Sequence, residues 1–145
     1  MGSEMCIRDR GQVRVFFVRD NDTSIFPSAG EITDVYNKIL EIKPSTMSAS
    51  DVIVDAPTAV TVNFTFSAIT PNTAAMQTAI KNALTDYFNS SANLATDIRA
   101  IDYNSVINGV VDSGGNQLQS FTLTSPTTDI SVDISELAVL GTVTF

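Results

Sequence analysis

The sequence predicts an α+β fold: antiparallel strands with two main amphipathic helices packed on one face, arranged as two small subdomains. Three observations predict it. The stretch TAVTVNFTFSAIT puts Val60, Val62, Phe64 and Phe66 on one side and Thr61, Asn63, Thr65 and Ser67 on the other. Such alternation marks a strand with one covered and one wet face, which favours antiparallel pairing. On either side of it, PSAGEITDVYNKILEIKP and TPNTAAMQTAIKNALTDYFNSS carry apolar residues at helical spacing. Short β-branched and aromatic runs bounded by turn residues occupy much of the remainder.

In chain order, QVRVFFVRD (12–20) reads as a buried strand, and DNDTS after it as a turn. Ser28 with Glu31 three residues on has the form of a capping box. Ile32, Val35, Tyr36 and Ile39 make one stripe, Leu40 widens it, and Pro44 ends the helix by about Lys43. STMSAS (45–50) is a loop and DVIVDAP (51–57) a short strand closed by Pro57. The alternating strand follows, its register set because a one-residue slip would expose two phenylalanines. The second helix has Thr70 or Thr73 as its cap, with Pro71 in the first turn. Met76, Ile80, Ala83, Leu84, Tyr87 and Phe88 form its apolar face and lie on that of the strand. Ile98 to Ile101 reads as strand-like and Asp102 to Asn108 as a short helix ended by Gly109. VDSGGNQLQ is a loop, SFTLTS a strand stopped by Pro126, and DISVDIS a further alternating strand through Ile130, Val132 and Ile134. LAVLGTVTF is the last strand.

Charge and composition narrow the function. A chain of 145 residues has room for a real core. Lys and Arg number 8 against 16 Asp and Glu, giving a net charge of −8. The basic residues are scattered, whereas a nucleic-acid binder clusters them to displace counterions. Nucleic acid and anionic membrane are therefore set aside as partners. No apolar run reaches the length of a membrane span. The sequence has no His, which removes the commonest general base near neutral pH and the commonest metal ligand. The single cysteine, Cys6, cannot form an internal disulfide.

Each candidate for chemistry has a structural reading beside it. Asp20 and Asp22 could open a calcium loop, but the spaced glycine and distal Glu are missing, and Asp and Asn favour turns in any case. Asp51 and Asp55 flank an apolar strand and are the nearest thing to a carboxylate pair. Asp129 and Asp133 fall on the wet face of the alternating DISVDIS segment as solvated charges. DSGGNQ lacks the spacing, the Lys and the helix start of a phosphate cradle. Asn21, Asn63 and Asn89 each begin an N-x-S/T triplet, a pattern common by chance. The expectation is no catalytic, cofactor-binding or metal-binding residue, no cofactor, and a surface that works by binding.

Three stretches in matching order carry a family likeness: FFVRDNDTSIFPSAGEI, VDAPTAVTVNFTFSAITPNTAAMQTAI and TLTSPTTDISVDISELAVLGTVTF. Together they resemble the C-terminal part of the baseplate J-like proteins of contractile phage tails, over Gly11 to Phe145. The most specific portion is LTSP, a short alternating segment, then ELAVLGTVTF. The resemblance implies a structural wedge component of the tail baseplate, located in the virion and assembled in the bacterial host cytoplasm. It implies contacts with other wedge subunits, with further copies of itself, with a small lysozyme-like wedge protein and with a companion tail protein. It brings no catalytic residues, and it fits phage, prophage and tailocin alike. Family members are normally longer, with a large N-terminal region. The competing reading is an extracellular carbohydrate- or surface-binding module, favoured by the Thr- and Asn-rich face of 58–69 and disfavoured by the lack of Trp.

The opening MGSEMCIRDR shows no periodicity and no recognisable element. It resembles one translated frame of a transposon-end sequencing adapter. The codons ATG TGT ATA AGA GAC AG encode MCIRD and begin Arg10, and GTG GGC TCG GAG ahead of them supplies an initiator followed by Gly-Ser-Glu. The expected organisation is therefore 1–10 as adapter-derived and not native, 11–56 as a strand–helix–strand subdomain, and 57–145 as the C-terminal α+β subdomain. Cys6 falls in the non-native part.

Overall fold

The computed structural model describes residues 3–7, 11–19, 24–91 and 94–145. Its elements are β1 (Ser3–Ile7), β2 (Val13–Phe17), α1 (Ala29–Ile42), β3 (Val52–Asp55), β4 (Thr58–Thr70), α2 (Ala74–Ser91), α3 (Ala100–Asn108), β5 (Ser120–Ser125) and β6 (Glu136–Thr144), with a single 3₁₀ turn at Ala49–Asp51. They form two compact units. Met1–Thr58 with Ile134–Glu136 make the first, and Ala59–Asp133 with Leu137–Phe145 the second.

The first unit holds a sheet of order β1-β2-β3. Phe17, Val52 and Val54 are its buried centre. The predicted α1 stripe of Ile32, Val35, Tyr36, Ile39 and Leu40 packs against them, with Val15 and Met47. Burying such side chains fully contributes roughly 1.5–3 kcal/mol each. That packing stabilises a helix too short to persist alone. Both predicted ends hold. Ser28 Oγ accepts from Glu31 N at 3.4 Å, and a Glu31 carboxylate oxygen accepts from Ser28 N at 2.8 Å. Lys43, just before Pro44, is extended at φ −63°, ψ 151°, as the clash with a following proline ring requires.

The second unit holds a sheet of order β5-β4-β6. Val62, Phe64 and Phe66 of β4 share one core with Met76, Ile80, Leu84 and Phe88 of α2 and with Tyr103 and Ile107 of α3. Phe64 sits edge-on to Phe88 at 6.1 Å and to Tyr103 at 5.4 Å between ring centroids, the geometry ring quadrupoles prefer. The predicted clasp between β4 and α2 is present. Thr73 is the residue that caps α2, its Oγ1 accepting from Met76 N at 3.2 Å.

The fold class holds at the level of mixed α and β, and several finer expectations are corrected. The strands are not all antiparallel: β2 and β3 run parallel, Val13 opposite Val52 through Phe16 opposite Asp55. A helix-length connection carries the chain back to the starting end of the sheet, and that forces parallel pairing. Among the described residues three helices form, not two main ones, and they serve two separate sheets. Residues 3–7, read as no element, pair antiparallel with β2 from Ser3 opposite Phe17 to Ile7 opposite Val13. Backbone pairing to an open strand edge makes little demand on sequence.

The strand-like stretch at Ile98–Ile101 shrinks to one bridge, Ile98 to Ile130, and α3 begins earlier, at Ala100. DISVDIS is not a strand. Its alternation buries Val132 and leaves Ile134 38% exposed, but beyond the bridge no neighbour supplies a ladder. Pro71 lies outside α2 rather than in its first turn. The alternation of β4 also ends where its register with β5 shifts around Phe66 and Ala68. Ser67 and Ala68 are both exposed there and Ile69 turns inward, the mark of a bulge.

Candidate functional site

Of the residues singled out for chemistry, Asp51, Asp55 and Asp129 each have a structural task. Asp20, Asp22 and Asn21 lie outside the described residues. Asp51 caps the 3₁₀ turn, its carboxylate accepting from Ser48 N at 3.1 Å. Asp55 pairs instead with Arg14, Oδ2 to Nε at 2.9 Å, and Arg14 also lies over the Phe16 ring. Asp129 is not merely solvated: its Oδ1 accepts from Ala100 N at 2.7 Å. It thereby satisfies a free donor at the start of α3, where Arg99 makes no side-chain cap. Asp97 does similar work, accepting from Val132 N at 2.8 Å. Among the described residues, no group of three or more Asp, Glu, Cys or His could hold a metal ion. Among the same residues, no helix is long and apolar enough to cross a membrane.

The DSGGNQ loop is a built turn. Asp112 Oδ1 accepts from Gly114 N at 2.8 Å and Asn116 N at 2.9 Å. Gly115 takes φ 81°, a conformation glycine adopts without penalty. The Asn116 donors, backbone first, together with Gly114 N–H hold the Asp112 carboxyl below its ordinary range against the opposing effect of desolvation. The loop therefore stays fixed and charged at neutral pH, with Val111 54% exposed beside it. Between this loop and α2 lies an open groove of about 640 Å³, floored by Ala75, Ala79 and Ala83. A second open depression, of about 510 Å³, is lined by Tyr87, Arg99 and Asp102. Burial, then the nearby Asp102, pushes the Tyr87 hydroxyl up. In the first depression Asp112 is engaged by the donors of its own loop, and in the second Asp102 pairs with Arg99 at 2.9 Å, so these carboxylates have structural partners.

The remaining broad feature is the sheet of the second unit. In β4 and β5 no residue is charged, and in β6 only Glu136 is. Thr61, Asn63, Ser67, Thr122, Thr124 and Thr142 are exposed along these strands. Asn63 of the wet face is engaged: its Oδ1 accepts from Thr142 N at 2.8 Å and from Thr142 Oγ1 at 3.2 Å. The sequence pattern exposed this polar row. It did not expose the groove or Val111, because both depend on where loop 111–117 folds back.

Residues 60–145, more than half of the chain, match the family described as Baseplate J-like protein C-terminal domain. No curated protein matches the chain.

Proposed function

The chain belongs to the baseplate J-like protein C-terminal domain family, and we infer from this that it works as a structural part of a phage tail baseplate wedge, by assembly rather than by turnover. Proteins of this family are structural and non-catalytic, their place is the virion tail baseplate, and membership implies contact with other wedge components. One observation carries the reading: the matched segment, 60–145, takes in β4 from Val60, α2, α3, β5 and β6, which build the larger of the two cores.

The finer reading concerns how the wedge is used. Rigid elements with a charge-poor sheet suit permanent contacts, whose centres are depleted of charge. We place the docking surfaces on the Ser113–Gln119 loop and the sheet edges, with further copies of the chain among the partners. In the same reading, residues 1–10 are foreign to the natural protein, 11–56 form a strand–helix–strand subdomain and 57–145 the C-terminal subdomain. Genomic DNA with different codons ahead of Gly11 supports the first of these, and the same ten codons in natural DNA refute it.

The test of function is location. Antibody against the chain should label the baseplate end of purified contractile tails, and the protein should co-sediment with those particles. Protein found free outside the cell and absent from purified tails would instead support the surface-binding module.

A further inference from the structure

The chain reads Asp-Ile-Arg-Ala at 97–100 and Asp-Ile-Ser-Val at 129–132, and the structure sets the two segments face to face. Ile98 N donates to Ile130 O at 3.0 Å, and Ile130 N donates to Ile98 O at 2.8 Å. Asp97 Oδ1 accepts from Val132 N at 2.8 Å, and Asp129 Oδ1 accepts from Ala100 N at 2.7 Å. An antiparallel bridge relates its two residues by a local two-fold axis. An Asp placed just ahead of each bridge residue therefore meets the same backbone donor on the opposite segment. The two segments hold each other by one pair of bonds made in both directions.

The second segment has no ladder to hold it. It lies between β5 and β6 and belongs to neither strand. From Thr127 to Asp133 only Val132 is buried, and Asp97 and Asp129 are both exposed. A further tie comes from Tyr103 Oη, 3.2 Å from the Pro126 and Thr128 carbonyl oxygens. On the other side of the bridge, Ala95 lies two residues ahead of Asp97 with φ 57°, a left-handed backbone that an L side chain adopts at a cost. We propose that 97–100 and 129–132 form a reciprocal latch that opens and closes as one unit. The strap Thr127–Asp133 is its moving part, the core of the second unit stays folded, and the strain at Ala95 favours the open state. Water-exposed bonds around a single buried side chain are what local opening draws on. The bonds are coupled because each carboxylate is aimed at its donor by the bridge that the other helps to hold.

The experiment is native-state hydrogen exchange on the full chain, read by NMR at the amides of Ile98, Ala100, Ile130 and Val132. The Ile80 amide, deep in α2, is the reference for global unfolding. The expected result is that the four share one opening equilibrium and exchange faster than Ile80. Asp97→Ala removes only the acceptor of Val132 N, yet it should speed exchange at Ala100 as well, by about fivefold, the ratio that the net worth of one hydrogen bond corresponds to. Asp129→Ala should do the same at Val132. Asp97→Asn keeps an acceptor oxygen and should retain most of the parent's protection. Ala95→Gly should slow exchange at all four amides severalfold, because glycine takes positive φ freely. Ile80 remaining the slowest of the five shows that each variant is folded. Four amides as slow as Ile80 in the parent, an Asp97→Ala effect confined to Val132, or an Ala95→Gly chain in which none of the four slows overturns the proposal.

Discussion

Gly141 is the residue whose side chain the structure can least accommodate. A Cβ there would lie 2.6 Å from Thr61 Cγ2 and would press into the Asn63 carboxamide. That carboxamide is not free to swing aside, since it accepts from both Thr142 donors. Gly141→Ala should therefore destabilise the protein by about 1–3 kcal/mol, the usual cost of overpacking, read as a lower denaturation midpoint. Asn63→Ala in the same chain should recover part of the loss, and strict additivity of the two changes would contradict this account. Asp112 tests a second residue-level point. Its folded-state pKa is lowered by the Asn116 and Gly114 donors. Its contribution is therefore present above the ordinary carboxylate range and is lost as pH falls through the depressed value. Asp112→Asn should flatten the acid limb of stability against pH; a limb as steep as the parent's would show that the carboxylate is not the group being lost.

Among the elements, those with local rules were readable and those with distant partners were not. α1 is bounded by Ser28, Glu31 and Pro44, all within its own segment, so its start, stripe and stop could be derived without any other part of the chain. The Val60–Phe66 alternation likewise declared its covered face. The end of α3 at Asn108 was readable from Gly109, but its start lies two residues ahead of the predicted Asp102, because its N-terminal partner is Asp129, distant in sequence, and no spacing rule connects them. DISVDIS imitated a strand because an extended segment alternates in and out whether or not a neighbour pairs with it. The parallel β2–β3 pairing needed the knowledge that α1 returns the chain across the sheet. The sheet order was least readable of all: composition shows that β5 is uncharged and that β6 carries only Glu136, but not that both lie at the edges of the sheet. Asp129 gives the test at this scale. Asp129→Ala should cost about 0.5–2 kcal/mol, as loss of a helix cap does, whereas Asp129→Asn, which keeps an acceptor oxygen, should cost less. Equal losses would mean that the carboxylate acts through its charge rather than as a cap.

For the whole molecule, the decisive contact is the seam between β4 and α2. Ile80 is fully buried among Val62, Phe64, Phe66, Leu84 and Phe88. A carboxylate placed there would have no partner and no water, and the cost of leaving it so is several kcal/mol, comparable with the total stability of a small domain. Ile80→Asp should abolish the folded second unit rather than soften it. Hydrogen exchange should then be fast throughout β4, α2, α3 and β5. The first unit has a core of its own, built from Phe17, Val52, Val54 and the α1 stripe, so α1 amides should keep measurable protection in the same variant. A melting curve unchanged from the parent would mean that the seam is not what holds the second unit together. Loss of α1 protection along with the rest would mean that the two cores unfold as one. Either result bears on function, because a structural part makes its contacts only through elements that stay folded. If the second unit is lost while α1 persists, the variant isolates the part that the family match covers. Variants that unfold it should then be missing from purified tails.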